Sequence, residues 1–278
     1  MTMSKPVSIF IDDEDINDSF ISSNSIFKYK QDLTKTINER ALTFFSPVVG
    51  CDAIKRQLYR AILKEETGQI NILLGGAPAT AKTLLMQCIL KGCNGVLFYD
   101  AASGSTGAGL IEVLRNNQNT RILIIDEIAE LSAKDLKVLR GLLNNGSVTK
   151  TLKTILINFM IKNLKVFCTT NNLQKINRDK PLRSRFQIYL IPKYNDEEFI
   201  KVLSFCLKDQ QVIKSDELIK ELAYGLLKYG IKNIRIAISI CKLVHEDHDK
   251  HIDIKGIIKD YLANDGSNCN IDFNVEEV

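Results

Sequence analysis

Ile70-Asn71-Ile72-Leu73-Leu74-Gly75-Gly76-Ala77-Pro78-Ala79-Thr80-Ala81-Lys82-Thr83 is the stretch whose reading decides the fold. Its apolar start over 70–74 predicts a short buried strand, the small residues after it a tight loop, and Lys82 the opening of an amphipathic helix over 82–91. A loop of this kind turns its backbone N–H groups inward to meet phosphate oxygens, and the helix N-terminus behind it adds partial positive charge. Gly75, Gly76, Ala77, Pro78, Ala79, Thr80, Ala81, Lys82, Thr83 and Leu84 would then cradle a nucleoside triphosphate. In such loops the lysine reaches the outer phosphates and the Thr hydroxyl takes a Mg²⁺ position. The usual pattern is G-x-x-x-x-G-K-[ST], and here its second glycine is replaced by Ala81. Glycine serves such a loop by tolerating positive φ and allowing close backbone approach. An alanine in a strained conformation costs on the order of 1 kcal/mol.

Moving outward, strands and helices alternate. Cys51–Glu66 reads as a helix with Ile54, Leu58 and Ile62 on one face and Gly68 as its stop. Val96–Tyr99 reads as a strand, 107–116 as a helix, and Arg121–Asp126 as a wholly apolar strand closed by a carboxylate. Ser132 caps a helix to about Leu143, Asn144-Asn145-Gly146 ends it, and 147–161 forms a hairpin. Val166–Thr170 and Gln187–Ile191 complete the strands. This alternation predicts an α/β fold with a parallel sheet flanked by helices, and the phosphate loop makes it resemble the P-loop NTPase kind. After Pro192 the pattern turns helical, over 195–208, 216–229, 232–246 and 253–262. The expected division is an acidic, largely disordered lead-in over 1–40, a nucleotide-binding domain over 41–192, a small all-helical lid over 193–262 and a flexible acidic tail over 263–278.

The 278 residues suffice for one large or two modest domains. No apolar run approaches a membrane span, and Met1–Lys5 lacks a secretory core, so no membrane association is expected. Seven scattered cysteines without a C-x-x-C pair fit reduced thiols in a cytoplasmic protein. The formal net charge is +4, but residues 1–20 and 264–278 each carry −4, leaving +12 on the stretch between. A basic body with acidic ends suits an anionic partner such as nucleotide or nucleic acid, and equally a soluble domain with solubilising tails.

Asp126-Glu127 stands at the carboxyl end of its strand, where open parallel sheets bind ligands. Asp126 is placed to hold Mg²⁺ with Thr83, and Glu127 to take a proton from attacking water. Together with Val48-Val49-Gly50, the phosphate loop, Thr169-Thr170-Asn171-Asn172, Pro181-Leu182-Arg183-Ser184-Arg185-Phe186 and Gly230–Ile238, this order resembles AAA+ ATPases over roughly residues 45–262. The last two segments are most similar to Holliday-junction branch-migration ATPases and related archaeal-type AAA+ proteins, without the C-terminal winged helix of the former.

The resemblance implies residue roles. Asn171 matches the sensor-1 position, although Asn-Asn after a strand also suits a turn. Arg183 or Arg185 matches the arginine finger that completes a neighbouring subunit's site, with Arg183 preferred; a planar, always-charged guanidinium answers the charge on the transferring phosphoryl. Arg235 matches the sensor-2 arginine of the lid, and Val48, Val49 and Ile234 the apolar wall around adenine. Ala79 and Ala81 both replace glycines of the usual loop, yet Lys82, Thr83, Asp126 and Glu127 remain, so slow but real hydrolysis is expected. The implied protein is an ATP- and Mg²⁺-dependent motor in a homo-oligomeric ring, a hexamer, remodelling DNA or a DNA-bound protein. A chaperone-like remodeller and a nucleotide-gated module with little turnover remain open. His245, His248 and His251 read as a solvated helix face rather than a zinc site. Lys150 and Lys153 sit near the hairpin tip, either for pore contacts or simply as solvated charge.

Overall fold

The computed structural model describes residues 25–64, 69–103, 107–152, 155–243, 256–258, 260 and 261. His245, His248, His251, Lys153 and the acidic tail lie outside them. The described chain divides into two compact units, one running to Pro192 without Pro78–Thr80, the other containing Pro78–Thr80 and the residues from Lys193 on.

The first unit is built on a five-stranded parallel sheet in the order β2-β3-β6-β1-β7, with β1 Ile70–Gly76, β2 Val96–Asp100, β3 Ile122–Asp126, β6 Lys165–Thr170 and β7 Gln187–Ile191. Strands covered on both faces read as unbroken apolar runs rather than alternating ones, and β3 and β6 are buried almost throughout. On one face Leu73, Leu123, Ile125, Val166 and Cys168 join Leu110, Ile111 and Leu114 of helix α4 (Gly107–Asn116) and Leu136, Leu139, Leu142 and Leu143 of helix α5 (Ala133–Asn145) in one core. Alternate residues Ile72, Leu74, Ile122, Ile124 and Phe167 point to the other face and are buried there too. Helix α3 (Lys82–Gly92) packs against β1, β2 and β6.

Residues 25–40 fall in the lead-in expected from composition, but Ile26 and Phe27 are buried and the backbone is tied down. Lys28 N–H donates to Gly92 O at 2.9 Å and Asn94 N–H to Ile26 O at 2.8 Å. The cause is aromatic: Phe27 stacks on Tyr59 of helix α2 (Asp52–Leu63) with centroids 5.4 Å apart, and meets Phe44 edge-on at 5.7 Å. Phe44 ends helix α1 (Ile37–Phe44), opened by a Thr36–Glu39 capping box that composition did not reveal.

After α5 the chain leaves the sheet for the antiparallel hairpin of β4 (Ser147–Leu152) and β5 (Ile155–Met160). Gly146 makes that exit possible. Its φ is 73°, and a Cβ there would stand 2.0 Å from Ile161 O. Helix α6 (Leu173–Arg178) and the one-turn helix α7 (Lys180–Arg183) lead into β7. Buried Asn71 of β1 donates through Nδ2 to Leu143 O at 2.8 Å and Arg185 O at 3.1 Å, fixing α5 and the β7 approach to β1.

The second unit is helical: α8 (Asp196–Asp209), α9 (Asp216–Lys228) and α10 (Ile234–Cys241), with Phe199, Leu203, Leu207, Leu222, Leu226 and Ile240 in its interior. Asn195, Ser215 and Asn233 cap the three N-termini. Replacing Gly146 with alanine adds the Ile161 clash to the left-handed backbone penalty and lowers stability by about 3 kcal/mol or more. Gly230→Ala, at φ 71° with nothing within 4 Å of the new Cβ, costs only about 1–2 kcal/mol. Urea midpoints of the two variants check the difference.

Candidate functional site

The site begins where β1 stops. Lys82, the first residue of α3, is buried, and its ammonium donates to Gly76 O at 3.0 Å and Ala77 O at 2.6 Å. The lysine is thus folded back on the loop that precedes it. The two alanines behave differently. Ala81 has φ −67°, an ordinary value for a side-chain-bearing residue, and is buried as the residue before α3. Ala79 has φ 58°. The backbone cost that the sequence assigns to position 81 therefore falls on position 79, because only there does the turn enter the left-handed region.

Parallel register sets the rest. β3 lies beside β6 with Ile125 opposite Cys168, so Asp126 and Glu127 emerge next to Thr169, Thr170 and Asn171. The Thr169 hydroxyl, fully buried, donates to Asp126 Oδ1 and accepts from the Glu127 N–H at 2.9 Å. Glu127 itself stands at φ 55°, in the left-handed region. Its carboxylate is held on both oxygens: Oε1 accepts from the Asn171 N–H at 2.7 Å and from the Thr170 hydroxyl at 3.4 Å, and Oε2 accepts from Asn171 Nδ2 at 2.7 Å. Beneath the pair, complete burial and then the Asp126 charge push the Cys168 thiol well above its usual range, keeping it neutral.

Across from β3, the Thr83 hydroxyl of α3 donates to Asp126 Oδ2 at 3.3 Å. Two oxygens at that separation are close to the edge of an octahedron with bonds of 2.0–2.1 Å, about 3 Å long. A hydroxyl and a carboxylate form the hard oxygen donor set that Mg²⁺ takes. The donor chemistry therefore fits that ion.

Arg183 ends α7 exposed, whereas the Arg185 guanidinium donates to Pro181 O. The short helix is anchored by Asp179, which accepts from the Leu182 N–H at 3.0 Å and forms an ion pair with Arg140 of α5. Burial alone would raise the Asp179 pKa, but the Arg140 hydrogen bond and the Leu182 N–H outweigh it and hold the carboxyl below its usual range. Val48 is buried and Val49 half-buried in the first unit. Ile234 is buried and Arg235 exposed at the start of α10 in the second.

The structure thus brings Lys82, Thr83, Asp126, Glu127 and Asn171 together around the ends of β1, β3 and β6. Residues 72–193, from β1 to just past β7, match the family model of the ATPase family associated with various cellular activities, AAA. That stretch is similar to AAA ATPase domains. With a five-stranded parallel sheet flanked by helices, it has the P-loop α/β fold. The match supports nucleotide binding and an ATPase of the AAA+ kind. No curated protein matches the chain.

Sequence reasoning gave no separate role to Thr169, Thr170, Asp179 or Arg140. Two hydroxyls closing an otherwise apolar strand were the signal available for the threonines. Ala79→Gly relieves the left-handed penalty in the folded chain and should raise its stability by about 1 kcal/mol, read as a higher urea midpoint. Ala81→Gly should give no gain, since its φ already suits alanine.

Proposed function

We propose that this chain is an AAA+ ATPase that binds ATP with Mg²⁺, hydrolyses it slowly and works as a homo-oligomeric ring, a hexamer, in the cytoplasm. The observation that carries the reading is the convergence of Lys82, Thr83, Asp126 and the Glu127–Asn171 pair at one end of the sheet. In this reading the loop backbone and Lys82 bind the phosphates, and Thr83 and Asp126 hold Mg²⁺. That ion would offset negative charge on the phosphoryl oxygens. Glu127 accepts the proton of the attacking water, and a carboxylate's roughly four lone-pair sites leave room for that water beside the donors on Asn171 and Thr170. Asn171 holds the carboxylate in line until then. Arg183 serves a neighbouring subunit as the arginine finger: it is exposed on an anchored helix while Arg185 is engaged with its own turn. Arg235 and Ile234 contribute from the helical unit as sensor 2 and part of the adenine wall, with Val49.

The target in this reading is DNA or a DNA-bound protein, supported by the +12 stretch between the acidic ends and the likeness of the Pro181–Phe186 and Gly230–Ile238 segments to branch-migration ATPases. Among the described residues no helix is long and apolar enough to cross a membrane. A second reading, a nucleotide-gated module with little turnover, is favoured by the strained Ala79 and by the two-point hold on Glu127.

Glu127→Gln should keep ATP-analogue binding and lower phosphate release by about 100-fold or more, the usual scale for losing a general base; equal release in both proteins decides for the gated module. Arg183→Ala and Lys82→Ala chains should each be inactive alone and regain turnover when mixed, because each supplies what the other lacks. No recovery on mixing removes Arg183 from the trans role. Single-stranded or junction DNA should stimulate turnover with a steep salt dependence. A lack of any stimulation points to a protein target, as in a chaperone-like remodeller.

A further inference from the structure

A cavity of about 370 Å³ opens in the first unit, away from the phosphate loop. One wall is the coil before α1, another is α1 with the turn after it, and the third is the last two turns of α3. It falls in the size range of small-molecule sites, about 300–1,000 Å³. Lys91 on this wall is nine residues along α3 from Lys82, about 13.5 Å at 1.5 Å per residue.

Its charge is one-sided. Lys30, Lys35, Arg40 and Lys91 line it against a single carboxylate, Asp32, which is 3.7 Å from the Lys35 ammonium. Arg40, on α1, is half-buried at this wall. Hydrogen bonds from Arg and Lys to an anion are charge-assisted and stronger than neutral ones. The α3 C-terminus would ordinarily repel an anion through its exposed carbonyls. Here Gly92 O already accepts from the Lys28 N–H at 2.9 Å, and Lys91 adds a cation in the last turn.

The remaining surface is aromatic. Tyr29 is 54% exposed, and the Phe44 ring lies over Gly92 where a Cβ would come within 2.4 Å of Cε2. The bare glycine lets the ring close the cavity from below. A flat apolar wall beside clustered cations suits a planar base joined to a phosphate, since bases stack on aromatic rings while Arg and Lys take the oxygens.

We propose that this cavity is a second nucleotide-unit site, independent of the phosphate loop, which takes a nucleoside monophosphate either free or as part of a polynucleotide strand. Arg40 and Lys91 bind the phosphate, and Tyr29 and Phe44 flank the base.

The test uses the full chain carrying Lys82→Ala, which silences the phosphate loop and leaves the cavity untouched. AMP is titrated by calorimetry and a labelled ten-nucleotide thymidine strand by anisotropy, before and after adding Arg40→Gln and Lys91→Gln. Loss of AMP affinity by about tenfold or more supports the site with a free nucleotide as its source. The same loss for the strand alone supports it with a polynucleotide as its source. Unchanged binding of both probes, or no binding of either, overturns it. Hydrogen exchange on the Lys82→Ala protein gives an answer that does not depend on the double variant folding. Saturating AMP or strand should slow exchange over both 29–47 and 86–92, and equal exchange with and without both probes also overturns the site.

Discussion

One buried hydroxyl couples the two halves of the candidate site. Thr169 at the end of β6 donates to Asp126 and accepts from the N–H of Glu127, so a single side chain satisfies groups on the neighbouring strand at the point where that strand ends. Leaving such a buried group unpaired costs about 1–3 kcal/mol, more when its partner is charged. The bond also explains why Glu127 tolerates φ 55°: its N–H is held by Thr169, and its carboxylate is held from the far side by Asn171. Asp126 is left with Oδ2 toward Thr83, and the carboxylates of adjacent residues point to different tasks. Remove the parallel register of β3 and β6, and none of these groups meets.

The same dependence runs back into the centre of the sheet. β1 lies between β6 and β7, so the loop that follows it must emerge beside the end of β6. Asn71 extends that constraint sideways. Its amide reaches the last turn of α5 and the carbonyl of Arg185, and α5 in turn supplies Arg140 to the Asp179 cap of α7. The exposed Arg183 is therefore positioned by a chain of polar contacts that starts on β1, although it lies in one of the shortest helices of the fold.

Strands β1, β3 and β6 were legible because burial on both faces writes a nearly unbroken apolar run, and the ends of all five sheet strands fell within a residue or two of the pattern. The phosphate loop and the Asp126-Glu127 pair were legible because their chemistry needs fixed residue types at fixed spacing. Helices α1, α6 and α7 were not, since at four to eight residues they have too few turns to show a period; capping by Thr36, Asn172 and Asp179 holds them instead. The attachment of 25–28 was hidden for another reason. A polar, acidic segment masked two residues, Ile26 and Phe27, whose burial depends on partners far along the chain. Thr169 was hidden because a threonine in a strand suits β-structure whatever its hydroxyl does.

The phosphate loop shows where composition and conformation part company. Sequence alone treats Ala79 and Ala81 as equal departures from glycine, yet one sits at φ 58° and the other at −67°. Two residues at the site, Ala79 and Glu127, thus occupy a region that costs a side-chain-bearing residue about 1–2 kcal/mol. For Glu127 the cost is offset by hydrogen bonds on both sides, and it aims the carboxylate. For Ala79 no functional side chain is aimed by it. In the ATPase proposed above, that cost falls on the loop while Lys82, Thr83, Asp126 and Glu127 keep their contacts. In that proposal the glycine replacements bear on how fast the site works, while Thr83, Asp126, Glu127 and Asn171 bear on what it does.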